Sequence, residues 1–112
     1  MVLYFKDPIV SIRKLLITVG DAGSIAVMSV FSAAELPSHQ VSTEVLGYLL
    51  SRNTAMVCPA WQISANDGKI GFRVAYGTHV RGLDAPLFKV LCETMCKEVH
   101  EFDSKLRQAG IL

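Results

Sequence analysis

Charged residues are scarce in this chain of 112 residues, making up 19% of it where about a quarter is usual. The 11 basic and 10 acidic side chains almost cancel, so the formal net charge is +1. Nucleic acids and anionic membranes attract proteins through concentrated positive charge. The composition therefore predicts neither a nucleic-acid partner nor a membrane partner.

Cysteines and long apolar runs are also few. An odd set of three cysteines cannot close into intrachain disulfides, which favours a reducing compartment. Arg13 and Lys14 precede an apolar stretch that resembles a secretory signal, but Asp21 interrupts it. The uncharged run over residues 22–34 is shorter than the roughly 20 residues that span a bilayer. We therefore expect a cytoplasmic protein.

Short motifs of the common catalytic classes do not occur in the sequence. It holds no serine-nucleophile elbow, no dinucleotide-binding glycine pattern and no phosphate-binding loop. The acids Glu35, Glu44, Asp84 and Glu93 are scattered at exposed or capping positions, and they form no carboxylate pair for acid–base catalysis. The prediction is a protein without enzymatic activity and without a cofactor.

The chain does contain a large apolar share, 51% of its residues, enough for one core in a single domain over residues 1–112. Strand patterns cover residues 2–6, 12–19 and 24–32, and turn residues at 20–23 join the last two as a hairpin. The third strand is apolar on both faces, so we expect cover on both sides of the sheet there.

A helix is predicted over residues 39–52, where apolar residues recur at helical spacing. Ser38 is the expected N-terminal cap, and Asn53 suits the left-handed position that closes a helix. Strands over residues 55–64 and 69–77 follow it.

The last two strands are joined by Asn66, Asp67 and Gly68, the residue types that a tight hairpin turn requires. Pro59 cannot donate a ladder hydrogen bond, so the first of these strands is an edge strand or carries a bulge. Trp61 shares a face with apolar neighbours, and we expect it to be mostly buried.

A second helix is predicted over residues 84–109, with Asp84 as its cap and Pro86 in its first turn. The element order β-β-β-α-β-β-α predicts an α+β domain built on a twisted antiparallel sheet. Apolar residues form one stripe along this helix: Leu87, Leu91, Met95, Val99, Phe102 and Leu106.

Cys92, Cys96 and His100 follow one another at helical spacing and form the most tempting candidate metal site. The outer two are about 12 Å apart along the helix axis, at 1.5 Å per residue, so one ion cannot contact all three. The cysteines border the apolar stripe, where a thiol behaves as a small hydrophobic group. We therefore predict packing and no metal.

Cys58 offers an alternative of another class, a small enzyme with this thiol as nucleophile and His39 or His79 as base. The thiol falls in a predicted strand with no catalytic signature around it, so the expected role is packing.

Arg73, His79 and Arg81 form a small basic cluster at the end of the last predicted strand. They leave open a weak phosphate or nucleic-acid site, although no aromatic residues are interleaved with them. A solvated end of the sheet is the expected role.

Turn, cap and helix-end residues follow one another over residues 35–107 as Leu36-Pro37, residues 49–53, Asn66-Asp67-Gly68 and Gly82-Leu83-Asp84. Their spacing resembles that of the YbjN-like family, described as sensory-transduction regulators with the fold of type III secretion chaperones. The resemblance implies protein interaction and no catalytic residues. Family members typically begin with a helix, whereas residues 1–6 here have strand composition. Either the chain is shortened at its start, or the corresponding cover comes from elsewhere.

The apolar surplus of a chain with room for one core predicts a homodimer, in which the same patch is buried on both subunits. A protein or peptide partner is a further expectation. The apolar third strand and the flank of the last helix supply the candidate interface residues, which are Met28, Val30, Phe88, Cys92 and Met95.

Overall fold

A computed structural model describes residues 1–7, 11–20, 23–56 and 58–112. Within these ranges the expected order of three strands, helix, two strands and helix is confirmed. The elements are β1 (Val2–Asp7), β2 (Ser11–Gly20), β3 (Ile25–Pro37), α1 (Thr43–Ala55), β4 (Ala60–Asn66), β5 (Lys69–His79) and α2 (Ala85–Gln108).

The strands form one antiparallel sheet in the order β1-β2-β3-β5-β4, which confirms the α+β class. β4, which follows Pro59, is an edge strand as predicted. The β4–β5 turn places Asp67 at φ 51° and Gly68 at φ 76°. Both values are positive, as a two-residue turn that matches the twist of a hairpin requires.

Both helices pack on the same face of the sheet, and the core lies between them and the strands. α2 begins at the predicted cap, where Asp84 Oδ1 accepts a hydrogen bond of 2.8 Å from the Leu87 amide. Its stripe is buried from Leu91 to Leu106 against β3 and β5. Trp61 is 5% exposed, as expected, and packs with its ring centroid 4.8 Å from that of Phe102.

The predicted bounds of the first helix were wrong at both ends. Ser38 starts a short 3-10 turn, and α1 begins only after Ser42, whose hydroxyl accepts from the Val45 amide at 3.2 Å. Asn53 does not end the helix, which continues to Ala55. Its side chain bonds to β4 instead of closing the helix, so tertiary contact outweighs its preference for a terminus.

This longer helix moves the start of β4 from the predicted residue 55 to Ala60, and it leaves Cys58 in the connection before the strand. Residues 8–10, 21, 22 and 57 lie outside the described ranges, so much of the expected turn at 20–23 falls there. Among the described helices, none has both the length and the apolar composition of a membrane span.

Candidate interaction surface

The face of the sheet that points away from α1 and α2 carries large side chains without a cover from any described element. By strand alternation it takes every second residue of each strand. Tyr4 is 63% exposed there, Ile12 57% and Phe31 43%. We call it the uncovered face. The sequence expectation of cover on both sides is not met by a single chain.

One row of side chains crosses the uncovered face at right angles to the strands. Tyr4 on β1 pairs with Lys14 on β2, and Phe31 on β3 pairs with Arg73 on β5. Arg73 Nε donates to Gln62 Oε1 of β4 at 3.0 Å. Aromatic and cationic groups therefore alternate across the sheet.

The uncovered face is basic although the chain as a whole is almost neutral. Of the residues that the structure describes, strand alternation places Lys6, Lys14, Lys69 and Arg73 on it, against the single acid Glu35. The composition could not show this, because the balancing acids lie on the helices, in turns and in the core.

Phe31 stands between two depressions in the uncovered face. One, of about 340 Å³, is lined by Ile12, Lys14 and Ala33 beside Phe31. The other, of about 320 Å³, lies on the far side and is bordered by Glu35, Lys69 and polar groups of β4. The register of β3 against β5 shifts between residues 31 and 35, and this bulge separates the two depressions.

A buried carboxylate from α2 holds the bulge in place. Asp103 is fully buried, accepts a hydrogen bond of 3.0 Å from the Ala33 amide, and accepts another from the Ser32 hydroxyl. Arg13, 2% exposed, donates to Asp103 at 2.5 Å and to the Phe31 carbonyl at 3.2 Å. An ion pair in the core therefore holds the backbone from the Phe31 carbonyl to the Ala33 amide.

The same arginine binds a second carboxylate. Arg13 donates to Asp7 Oδ2 through Nη2 at 2.9 Å and through Nε at 3.2 Å. His100 Nδ1 lies 3.3 Å from that oxygen, at ion-pair distance but without the alignment of a hydrogen bond. Asp7 and Arg13 thereby tie the ends of β1 and β2 to α2.

The two edges of the sheet differ in how far they are closed. Met1 and Ile17 exchange both of their backbone hydrogen bonds, at 3.1 and 2.9 Å. In an antiparallel ladder this alternation turns the backbone N–H and C=O groups of Val2, Tyr4 and Lys6 away from β2. No described strand pairs with β1 on that side.

The opposite edge, on β4, is partly blocked. The Asn53 side chain of α1 accepts from the Trp61 amide at 2.6 Å and donates to the Trp61 carbonyl at 3.2 Å. The amide side chain thus takes the place of a neighbouring strand at this residue. Pro59, two residues earlier, has no N–H to offer. Among the described strands, β1 therefore has the more open edge for pairing.

The expected interface residues have mixed outcomes. Met28, Val30 and Met95 are completely buried in the core of the single chain, so their assignment to a subunit interface was wrong. β3 is apolar on both faces, and the helices cover the face of Met28 instead of that of Phe31. Cys92 is 5% exposed, and its thiol pKa is raised by burial.

Phe88 is the interface candidate that keeps exposed surface. It is half-buried and, with Leu3 and Phe5, lines a mostly apolar groove of about 420 Å³ between β1 and α2. The groove runs beside the free edge of β1, so the two features form one continuous surface.

Trp61 and α1 meet at a second buried carboxylate that sequence reasoning missed. Glu98 accepts from Arg52 at 2.8 and 3.0 Å and from the Trp61 indole at 3.1 Å. Burial alone would raise the pKa of Glu98, but the hydrogen bonds from Arg52 and Trp61 hold it below its ordinary value. The arrangement is structural because it ties α1, β4 and α2 together.

Glu98 and Asp103 left a weak signal in the sequence. Each lies three or four residues from members of the apolar stripe of α2, so a stripe drawn at helical spacing already has both acids on its borders. An acid in such a position is buried with a partner when it is buried at all. The sequence could not show which partner.

The candidate catalytic thiol does not fit its predicted setting. Cys58 is exposed, not packed in a strand, and no described hydrogen bond or ion pair joins it to His39 or His79. His79 Nδ1 accepts from the Arg81 amide at 3.4 Å. Among the described residues, no group of three His, Cys, Asp or Glu side chains could hold a metal ion.

The small basic cluster is divided between two places. Arg73 lies in the row that crosses the uncovered face, whereas Arg81 lies in a short 3-10 turn beyond the end of β5. His79 marks the end of that strand. Arg73 therefore belongs to the uncovered face, and these three residues do not form a compact phosphate-binding site.

No family model, no curated protein and no solved structure matches this chain. The resemblance to the YbjN-like family stays a prediction.

Proposed function

We propose that this chain is a non-enzymatic protein-interaction module, chaperone-like or regulatory, that acts as a homodimer. The observation that carries the proposal is a sheet left open on one face and free at its β1 edge. Large exposed side chains and unpaired strand edges mark surfaces that other chains cover. The expected likeness to the YbjN-like family agrees with this role, and three free thiols suit the reducing, cytoplasmic setting that we propose.

The β1 edge suits a second copy of itself because its pattern is self-complementary. With Tyr4 opposite the partner's Tyr4, an antiparallel pair sets Val2 opposite Lys6 and Lys6 opposite Val2. All three residues with outward N–H and C=O groups are then matched, which gives about six backbone hydrogen bonds. The register places no like charges directly opposite each other.

The core side of the same register is apolar. Leu3 would face Phe5 of the other subunit, and Phe5 would face Leu3, since the two positions are equally far from Tyr4. The groove lined by Phe88 lies directly behind these residues and would be closed by the symmetric copy. Edge pairing and apolar burial therefore favour the same dimer axis.

Light scattering of the chain and two variants at Tyr4 tests this dimer. We expect a mass of about 24 kDa, twice the 12.2 kDa of the chain. Tyr4→Pro removes the outward amide at the centre of the edge without removing a bond to β2, so it should yield a folded monomer. Tyr4→Ala is the matched control, because it removes the ring and keeps the amide.

The expected result is a dimer for the natural chain and for Tyr4→Ala, and a monomer with an unchanged circular dichroism spectrum for Tyr4→Pro. A mass near 12 kDa for the natural chain at micromolar concentration would contradict the dimer. A dimer that survives Tyr4→Pro would place the contact elsewhere on the chain.

A further inference from the structure

We propose that the uncovered face binds an acidic segment of a partner protein, with apolar side chains of that segment seated on both sides of Phe31. This inference rests on the proposed function only in treating the chain as an interaction module. It concerns the uncovered face, and it holds whether or not β1 pairs with a second copy.

Two depressions give the partner its apolar anchor points. Ile12, Ala33 and the Phe31 ring line the first depression. Phe31 and Ala33 also form the apolar part of the second depression, beside the polar groups of β4. The buried Asp103 carboxylate holds the Ala33 amide at the bulge between the two depressions, so the depressions are preformed. Anchors in preformed pockets supply most of the binding energy at such contacts.

The positive charges on the uncovered face favour an acidic segment. Lys14 borders the first depression and Lys69 the second, and Arg73 stands opposite Phe31 on the neighbouring strand. Glu35 is the one described acid on this face. Carboxylates beside the apolar anchors of a partner would meet these cations. A second copy of this chain would bring an equally basic face, and like charges oppose that contact.

A nucleic acid fits the face less well than an acidic polypeptide. Strands that bind single-stranded nucleic acid stack successive bases on neighbouring aromatic rings. Here Tyr4 and Phe31 are separated by the strand that carries Lys14, about 10 Å apart at the usual strand spacing. Between the two rings, the row that crosses the face holds a lysine and no further aromatic side chain on which a base could stack.

Fluorescence anisotropy with defined probes tests the inference. The probe is a soluble labelled peptide in which glutamate pairs flank single leucine and phenylalanine residues. A second peptide has lysine in place of every glutamate, and labelled polyuridylate represents nucleic acid. We expect the acidic peptide to bind, to weaken as salt is raised, and to bind far more tightly than either other probe.

Variants locate the contact on the uncovered face. Lys14→Glu should weaken binding of the acidic peptide about fivefold, and Phe31→Ala about tenfold. Lys97→Glu is the matched control, because Lys97 is an exposed lysine of α2 on the opposite side of the molecule, and it should leave the affinity unchanged. Circular dichroism of each variant verifies the fold.

Three outcomes would overturn the inference: equal binding of the lysine peptide, tighter binding of polyuridylate, or equal loss with Lys97→Glu. Absence of binding by the acidic peptide to a folded dimer would also overturn it while leaving the proposed dimer intact. If the acidic peptide binds a chain whose mass by light scattering is that of a monomer, the inference holds and the proposed dimer is wrong.

Discussion

Replacing Asp103 tests whether a buried ion pair holds the bulge beneath the uncovered face. Its carboxylate has no exposed surface and takes hydrogen bonds from Arg13, Ser32 and Ala33. Asp103→Ala leaves the buried guanidinium with one carboxylate and the Ala33 amide without an acceptor. Breaking a buried pair in this way costs about 3–5 kcal/mol. That is a large part of the 5–15 kcal/mol typical of a domain.

Urea unfolding followed by the fluorescence of the single tryptophan measures this loss. With a slope of about 1.5 kcal/mol per molar urea, the midpoint should fall by about 2–3 M. Asp103→Asn keeps one acceptor oxygen and should lose less, about 1–3 kcal/mol. Glu93→Ala, an exposed acid on the same helix, should stay within about 0.5 kcal/mol. A loss below 1 kcal/mol for Asp103→Ala would refute the reasoning.

Three further predictions concern groups outside the bulge. The free energy of unfolding should fall in acid as the pH drops through the lowered pKa of Glu98, because only the ionised carboxylate pairs with Arg52. Urea midpoints measured across this pH range should show a smaller fall for Glu98→Gln. Iodoacetamide at pH 8 should modify the exposed Cys58 first, because burial raises the pKa of the Cys96 thiol to about 11 and only the thiolate reacts. Mass spectrometry of digests would show the order of modification. Asn53→Ala should destabilise by about 1–3 kcal/mol in thermal unfolding, since it strips both backbone bonds from a β4 residue, and a loss near zero would contradict the edge-blocking role.

The sequence predicts the architecture correctly wherever the local residue pattern and the tertiary contacts favour the same structure. The alternation of apolar and polar residues predicts β5 as a strand with one buried face, and Phe72 and Val74 on that face lie in the core. Asp84 caps α2 because the capping bond is local to four residues. The turn at Asp67 likewise follows from chemistry that two residues carry by themselves.

The candidate surface could be predicted less well, because its features depend on contacts far apart in sequence. β3 is apolar on both faces, so no period-two signal says that Met28 faces the helices and Phe31 faces outward. Arg13 lies 90 residues from Asp103 in the sequence, and the residues around each of them do not indicate that the two form an ion pair. Asn53 has the chemistry of a helix end, but its partner on β4 decides its role.

Hydrogen exchange at individual amides of β1 tests the central claim most directly, that the free edge of the sheet is taken by a second copy. The Leu3 amide faces β2 and should be protected at every protein concentration. The Tyr4 amide faces outward, and we predict that its exchange slows as the protein is concentrated through the micromolar range. Fast exchange of the Tyr4 amide at all concentrations, beside a protected Leu3 amide, would contradict the account.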